Sequence, residues 1–299
     1  MHRRLAPATG VGATGGRGPV GAREGSTPDS AAGLTYPRPT EPTSILLRLA
    51  YDGSDFHGWA RQPAHPAGPA QRTVQGELEA ALSRLCRAPV AVRGASRTDA
   101  GVHALGQLAA FERPVPIPVV GVVRALDRLL PPDLAVTAAW EQGPAPVDPR
   151  FGNGGKHYRY RVRTAAAAAP MQARYEWQLR ERLDLAAMRE AAAALVGSHD
   201  FAAFRSSACQ ARSTTRTLFA VDVVGTDALV DVHVHGTAFL HNMVRIIAGS
   251  LVEIGLGRRD HAWLAGLLRD GDRRRAGPTA PAAGLLLVEV LWPGAPARR

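Results

Sequence analysis

The sequence predicts an α+β protein of two ferredoxin-like, RNA-recognition-like halves, whose antiparallel sheets form a basic central cleft. Three observations predict it. Strand-like and helix-like runs follow the order β-α-β-β-α-β over residues 43–148, and a similar order returns over residues 149–299. A hydrophobic fraction of 45% in 299 residues is enough for a sizeable core. A formal net charge of +10 suits a polyanionic partner, because basic side chains displace counterions from phosphates. Lys156 is the only lysine, so arginine carries the excess. Arginine binds phosphate bidentately and stacks on bases.

Residues 1–42 read as a disordered tail, rich in Gly, Pro, Ala and Thr and without apolar periodicity. Order begins at "SILLRLAYDG", a strand ending in an Asp-Gly turn. A loop widened by Pro and Gly follows, through "AHPAGPAQR". Thr73 is placed to cap a helix, "VQGELEAALSRLC". "PVAVRGA" and "HALGQLAAFE" read as strands around the turn "SRTDAGVH". "PVVGVVRALDRLL" is helix and "DLAVTAAWEQ" is strand. "GPAPVDPRFGNGG" joins the halves. In the second half, "KHYRYRVRT" is a strand, "LDLAAMREAAAALVG" a helix, and "TRTLFAVDVVG" with "ALVDVHVHG" a hairpin about Thr226-Asp227. "FLHNMVRIIAGSLVEIG" is a helix and "GLLLVEVLW" the last strand.

Several function classes fall away. Cys86 and Cys209 stand alone, with no C-x-x-C pair, which points to a reducing, intracellular site and away from a zinc knuckle. No apolar run approaches the length of a membrane span. No G-x-x-x-x-G-K-[ST] and no strand-linked G-x-G-x-x-G marks a nucleotide site.

The chemistry concentrates in a few places. Arg97 and Asp99 share a short turn with Gly101, although Asp and Gly serve turns for local reasons as well. Asp99 acting as nucleophile or base needs a cation beside it. Arg245 lies on a largely apolar helix, where an arginine snorkels or pairs with a carboxylate, and Asp99 is one such partner. Tyr158 and Tyr160 alternate on one side of their strand; with Lys156, Arg159 and Arg161 they suit a base-stacking platform. Asp231, His233 and His235 share a strand face, with His241 following, and form a rival metal set without further ligand spacing.

These signals converge on one family. "RTDAGVHA" closely resembles the signature of tRNA pseudouridine synthases of the TruA type, which modify anticodon-arm uridines. "YDGSDFHGWARQ", "TVQGELEAAL", "RFGNGGKHYRYRV", "FLHNMVR" and "TAPAAGLLLVEV" resemble further family segments, in the family's order. The resemblance implies that Asp99 is the catalytic aspartate and that Arg97 helps extrude the target base. It implies that Tyr158 is the active-site tyrosine, Arg245 the basic partner of the aspartate and Leu285 the aliphatic residue under the base. It further implies a cytoplasmic enzyme without metal or organic cofactor, a homodimer whose basic clefts hold tRNA, and targets at tRNA positions 38, 39 and 40. Ser96 stands where the family usually has Gly, and would be strained if that position needed φ > 0. Ala60 and Leu286 also depart from the usual residues. The alternatives are an RNA-binding module without catalysis and a metal-dependent hydrolase built on Asp231, His233 and His235.

Overall fold

A computed structural model describes residues 43–62, 71–143 and 146–296. The expected tail and most of the widened loop lie outside the described residues. The first half forms β1 (Ser44–Tyr51), α1 (Val74–Cys86), β2 (Val92–Gly94), β3 (His103–Glu112), α2 (Val119–Leu129) and β4 (Leu134–Glu141). The second forms β5 (Gly155–Thr164), β6 (Trp177–Leu179), α3 (Leu185–Ala193), β7 (Gly197–Asp200), β8 (Thr215–Gly225), β9 (Leu229–Gly236), α4 (Met243–Gly255), α5 (His261–Asp270) and β10 (Leu285–Leu291).

The local causes are those the sequence carries. The Thr73 side chain accepts from Gly76 N and so caps α1, as predicted. Period-2 alternation appears on β5 and β9, where every second residue is buried. Ile45, Leu47 and Leu49 of β1 and Leu78 and Leu82 of α1 are fully buried in one hydrophobic core. Each such side chain contributes about 1.5–3 kcal/mol relative to exposure.

Three features differ from expectation. The two sheets are one: ten strands run in the order β4-β1-β3-β10-β5-β9-β8-β7, with β2 on β3 and β6 on β5. The seam is β10, which pairs antiparallel with β5 and parallel with β3. Short β6 and β7 and helix α5 were not legible, because three or four residues hold no period and α5 is only half-buried. Finally, α4 starts at Met243 rather than Phe239, because Asn242 takes a left-handed backbone (φ 62). Asn tolerates that region better than most residues.

Candidate active site

The turn between β2 and β3 is pinned from several sides. Gln107, fully buried on β3, donates to Ser96 O (2.7 Å) and accepts from Ser96 N (3.2 Å). Thr98 O accepts from Trp59 N at 3.0 Å, and Thr98 Oγ1 is 2.9 Å from Tyr51 Oη. Gly101 N donates to Phe56 O (3.3 Å), so the 53–59 segment lies against the turn. That approach requires glycine at 58: its φ is +92, and a Cβ there would sit 2.7 Å from Thr98 O. Gly101, at φ +80, closes the turn itself. Ser96 is not among the residues with positive φ, so the feared strain is absent. Its hydroxyl instead lies 2.8 Å from Tyr158 Oη.

So held, the turn puts Arg97 and Asp99 into one cleft of about 800 Å³, together with Lys156, Tyr158, His241 and Leu285. The sequence left open whether Arg97 and Asp99 would point the same way; both line the cleft. Arg97 is exposed there. The Asp99 carboxylate has two holders. Arg245 Nη1 lies 3.3 Å from Oδ2, and His241 Nε2 lies 3.2 Å from Oδ1. Arg245 is thus paired rather than snorkelling. Its side chain is 16% exposed, its Nε donates to Ala280 O (2.7 Å), and its Nη1 donates to Asn242 Oδ1 (2.9 Å). Asp99 itself keeps 26% of its side chain open to the cleft. An ionised carboxylate, fixed from behind and reachable from in front, can act as a nucleophile or a base.

Tyr158 forms a wall beside it. Burial pushes its phenol up to about 12, the Ser96 hydrogen bond opposing and the Asp99 charge adding to the rise. At neutral pH it is therefore an uncharged ring, edge-on to Phe239 at 5.0 Å. Leu285, the first residue of β10, is a buried apolar surface of the cleft. Lys156 is also buried, and burial draws its ammonium below the ordinary lysine range.

Other candidates lie elsewhere. Tyr160 shares the side of Tyr158 but is buried in the core, with its hydroxyl donating to Pro281 O (2.8 Å). Arg159 and Arg161 alternate to the opposite sheet face and line a different cavity, so they are not part of the Tyr158 platform. Asp231 is engaged by Arg161 through two hydrogen bonds of 2.8 and 2.7 Å. His233 Nδ1 lies 2.9 Å from His157 Nε2, and His235 stacks on His157. Among the described residues no three His, Cys, Asp or Glu side chains are arranged to hold a metal ion. Nor is any helix there long and apolar enough to cross a membrane.

Two site residues were missed in the sequence. Gln107 had a signal: an amide inside the otherwise apolar run "LGQLAAF" needs buried partners. His241 follows the Asp231–His235 strand in sequence, and its contact with Asp99 depends on the turn at Asn242.

The family described as tRNA pseudouridine synthase matches residues 49–152 and 191–293. The tRNA pseudouridine synthase A of Myxococcus xanthus is 46% identical over 256 residues, covering 85% of this chain and 94% of that protein. The protein of the same name from Geotalea uraniireducens is 44% identical over 248 residues, covering 83% and 99%. That from Syntrophotalea carbinolica is 43% identical over 248 residues, covering 83% and 96%. The chain belongs to the tRNA pseudouridine synthase family.

Proposed function

We propose that this enzyme isomerises uridines in the anticodon arm of tRNA, at positions 38, 39 and 40, to pseudouridine. The observation that carries the reading is Asp99, held by Arg245 at one oxygen and open to a cleft walled by Tyr158. The reaction breaks the N1–C1′ bond, turns the uracil and joins C1′ to C5, from which a proton leaves. N1, released from C1′, takes up a proton, so the product has the same atoms as the substrate and the chemistry needs no energy source. The base must first leave the stack. Arg97, exposed at the cleft, takes the vacated space and holds phosphate. Asp99 attacks C6 or C1′. Tyr158 stacks on the uracil, and Leu285 supports it from β10. Tyr158 is a neutral phenol at working pH, so any part it plays in removing the C5 proton starts from that form.

Arg97, Arg150 and Lys156 give the cleft the positive charge that an RNA strand favours. In this reading residues 43–148 and 149–299 are two halves closing on the RNA, the enzyme works as a homodimer in the cytoplasm, and it uses neither metal nor organic cofactor. The test is to incubate the purified protein with unmodified tRNA transcripts and map pseudouridine. Pseudouridine at 38–40 supports the reading; tRNA that is bound but unchanged defeats it in favour of an RNA-binding module.

A further inference from the structure

Arg245 holds one carboxylate oxygen of Asp99, but a carboxylate gripped at one point still turns about χ2, a broad and soft torsion. The second point is His241. Its backbone lies just outside α4, because the left-handed turn at Asn242 breaks the helix there. That turn does two things at once. It brings Asn242 Oδ1 to Arg245 Nη1 (2.9 Å), and it leaves the His241 ring facing the cleft, with Nε2 3.2 Å from Asp99 Oδ1. The ring is 42% exposed and makes little of the core. Its backbone is fixed separately: His241 O accepts from Ser206 N at 3.0 Å. This ties the His241 backbone to the 205–210 segment, whose Cys209 and Gln210 line the same cleft.

We propose that His241 is a positioning residue for the attacking carboxylate. Nε2–H donates to Oδ1 and fixes the carboxylate plane, while Arg245 supplies the counter-charge behind it. An ionised carboxylate oxygen accepts at more than one site, so Oδ1 keeps a lone pair for the uridine. The inference rests on the pseudouridine reading above. It goes beyond it by assigning a role to a residue whose exposure would otherwise mark it as an RNA contact.

The test compares wild type with His241→Ala and His241→Gln in single-turnover reactions at saturating enzyme, beside tRNA binding. A hydrogen bond to a charged group is strong enough that its loss slows the step by about 10- to 100-fold. The expected result is that slowing in His241→Ala, with unchanged tRNA affinity and unchanged urea midpoint, and recovery of most of the rate in His241→Gln, whose amide N–H also donates. A wild-type rate in His241→Ala overturns the proposal. So does lost affinity with an intact saturated rate, which makes His241 an RNA contact. Equal defects in Ala and Gln overturn it too, because a donor would then not be what matters. Wild-type protein that forms no pseudouridine defeats the underlying reading instead, and with it this one.

Discussion

Arg245 and Asp99, 146 residues apart in the chain, meet at 3.3 Å. The pair joins the first helix–strand half to α4 of the second, so the site exists only when both are in place. Truncating Arg245 to Met leaves the Asp99 carboxylate with His241 as its remaining holder and the carbonyl of Ala280 without its donor. Breaking a fully buried pair costs about 3–5 kcal/mol; Asp99 keeps water on one side, so the expected loss is nearer 2–3 kcal/mol. Activity is lost with it. In a double-mutant cycle with Asp99→Leu, measured by urea unfolding, the two positions couple by about 1–2 kcal/mol. A coupling near zero would reassign Arg245 to phosphate binding.

Asp99→Asn preserves shape and removes charge. It is expected to abolish pseudouridine formation while tRNA binding persists and stability falls by no more than the pair's about 1–2 kcal/mol, read by mapping, filter binding and urea unfolding. A folded variant with substantial turnover would take Asp99 out of the chemistry.

Tyr158 carries a pH signature. The unfolded phenol loses its proton near the ordinary pKa of 10, the native one at about 12. Between those values the native state binds more protons, so the stabilisation is complete below pH 10 and is lost as pH rises toward 12. Tyr158→Phe removes that pH-dependent share, about 3 kcal/mol at most, and flattens stability against pH in urea melts between pH 9 and 11. Burial also raises the phenols of Tyr51 and Tyr160, so a slope remains. In activity, Tyr158→Phe keeps the stacking ring and tests the hydroxyl alone.

Gly58→Ala reaches the site without touching it. The added Cβ meets Thr98 O in a backbone region that L-residues avoid. The expected outcome is a several-fold drop in kcat from a displaced Asp99 turn, with destabilisation of about 1–3 kcal/mol. Wild-type kcat would show that the turn absorbs the methyl group.

Exhaustive chelation is expected to leave the rate intact. Asp231 is occupied by Arg161, and His233 by His157. Loss of activity in EDTA, restored by zinc, would bring back the hydrolytic metal set.

Much of this was legible because it is local. The cap at Thr73, the 103–112 strand and the 215–225 strand follow from spacing and turn chemistry. The site was legible only through its short motif and the likeness to a family; spacing alone left Asp99 as a turn residue and Arg245 as an arginine in search of a partner. His241 could not be read, because one backbone angle at Asn242 decides whether it continues a helix or faces a carboxylate. Arg159 and Arg161 stand near Tyr158 in sequence but not in space, because odd and even positions of a strand face opposite sides of the sheet.

The seam strand carries a consequence for how the protein is made. A chain grows from its N-terminus, and Leu285–Leu291 emerges about 180 residues after the part of β3 it pairs with. Until then His103 and Ala104 lack the neighbours that Leu286 and Leu287 provide, and part of β3 is an open edge. The Leu285 surface of the cleft is missing as well. Completing the cleft therefore waits on contacts about 180 residues apart, the kind of long-range pairing whose loop closure slows folding. A ribosome stalled before Leu285 would hold a sticky, inactive intermediate rather than a smaller enzyme.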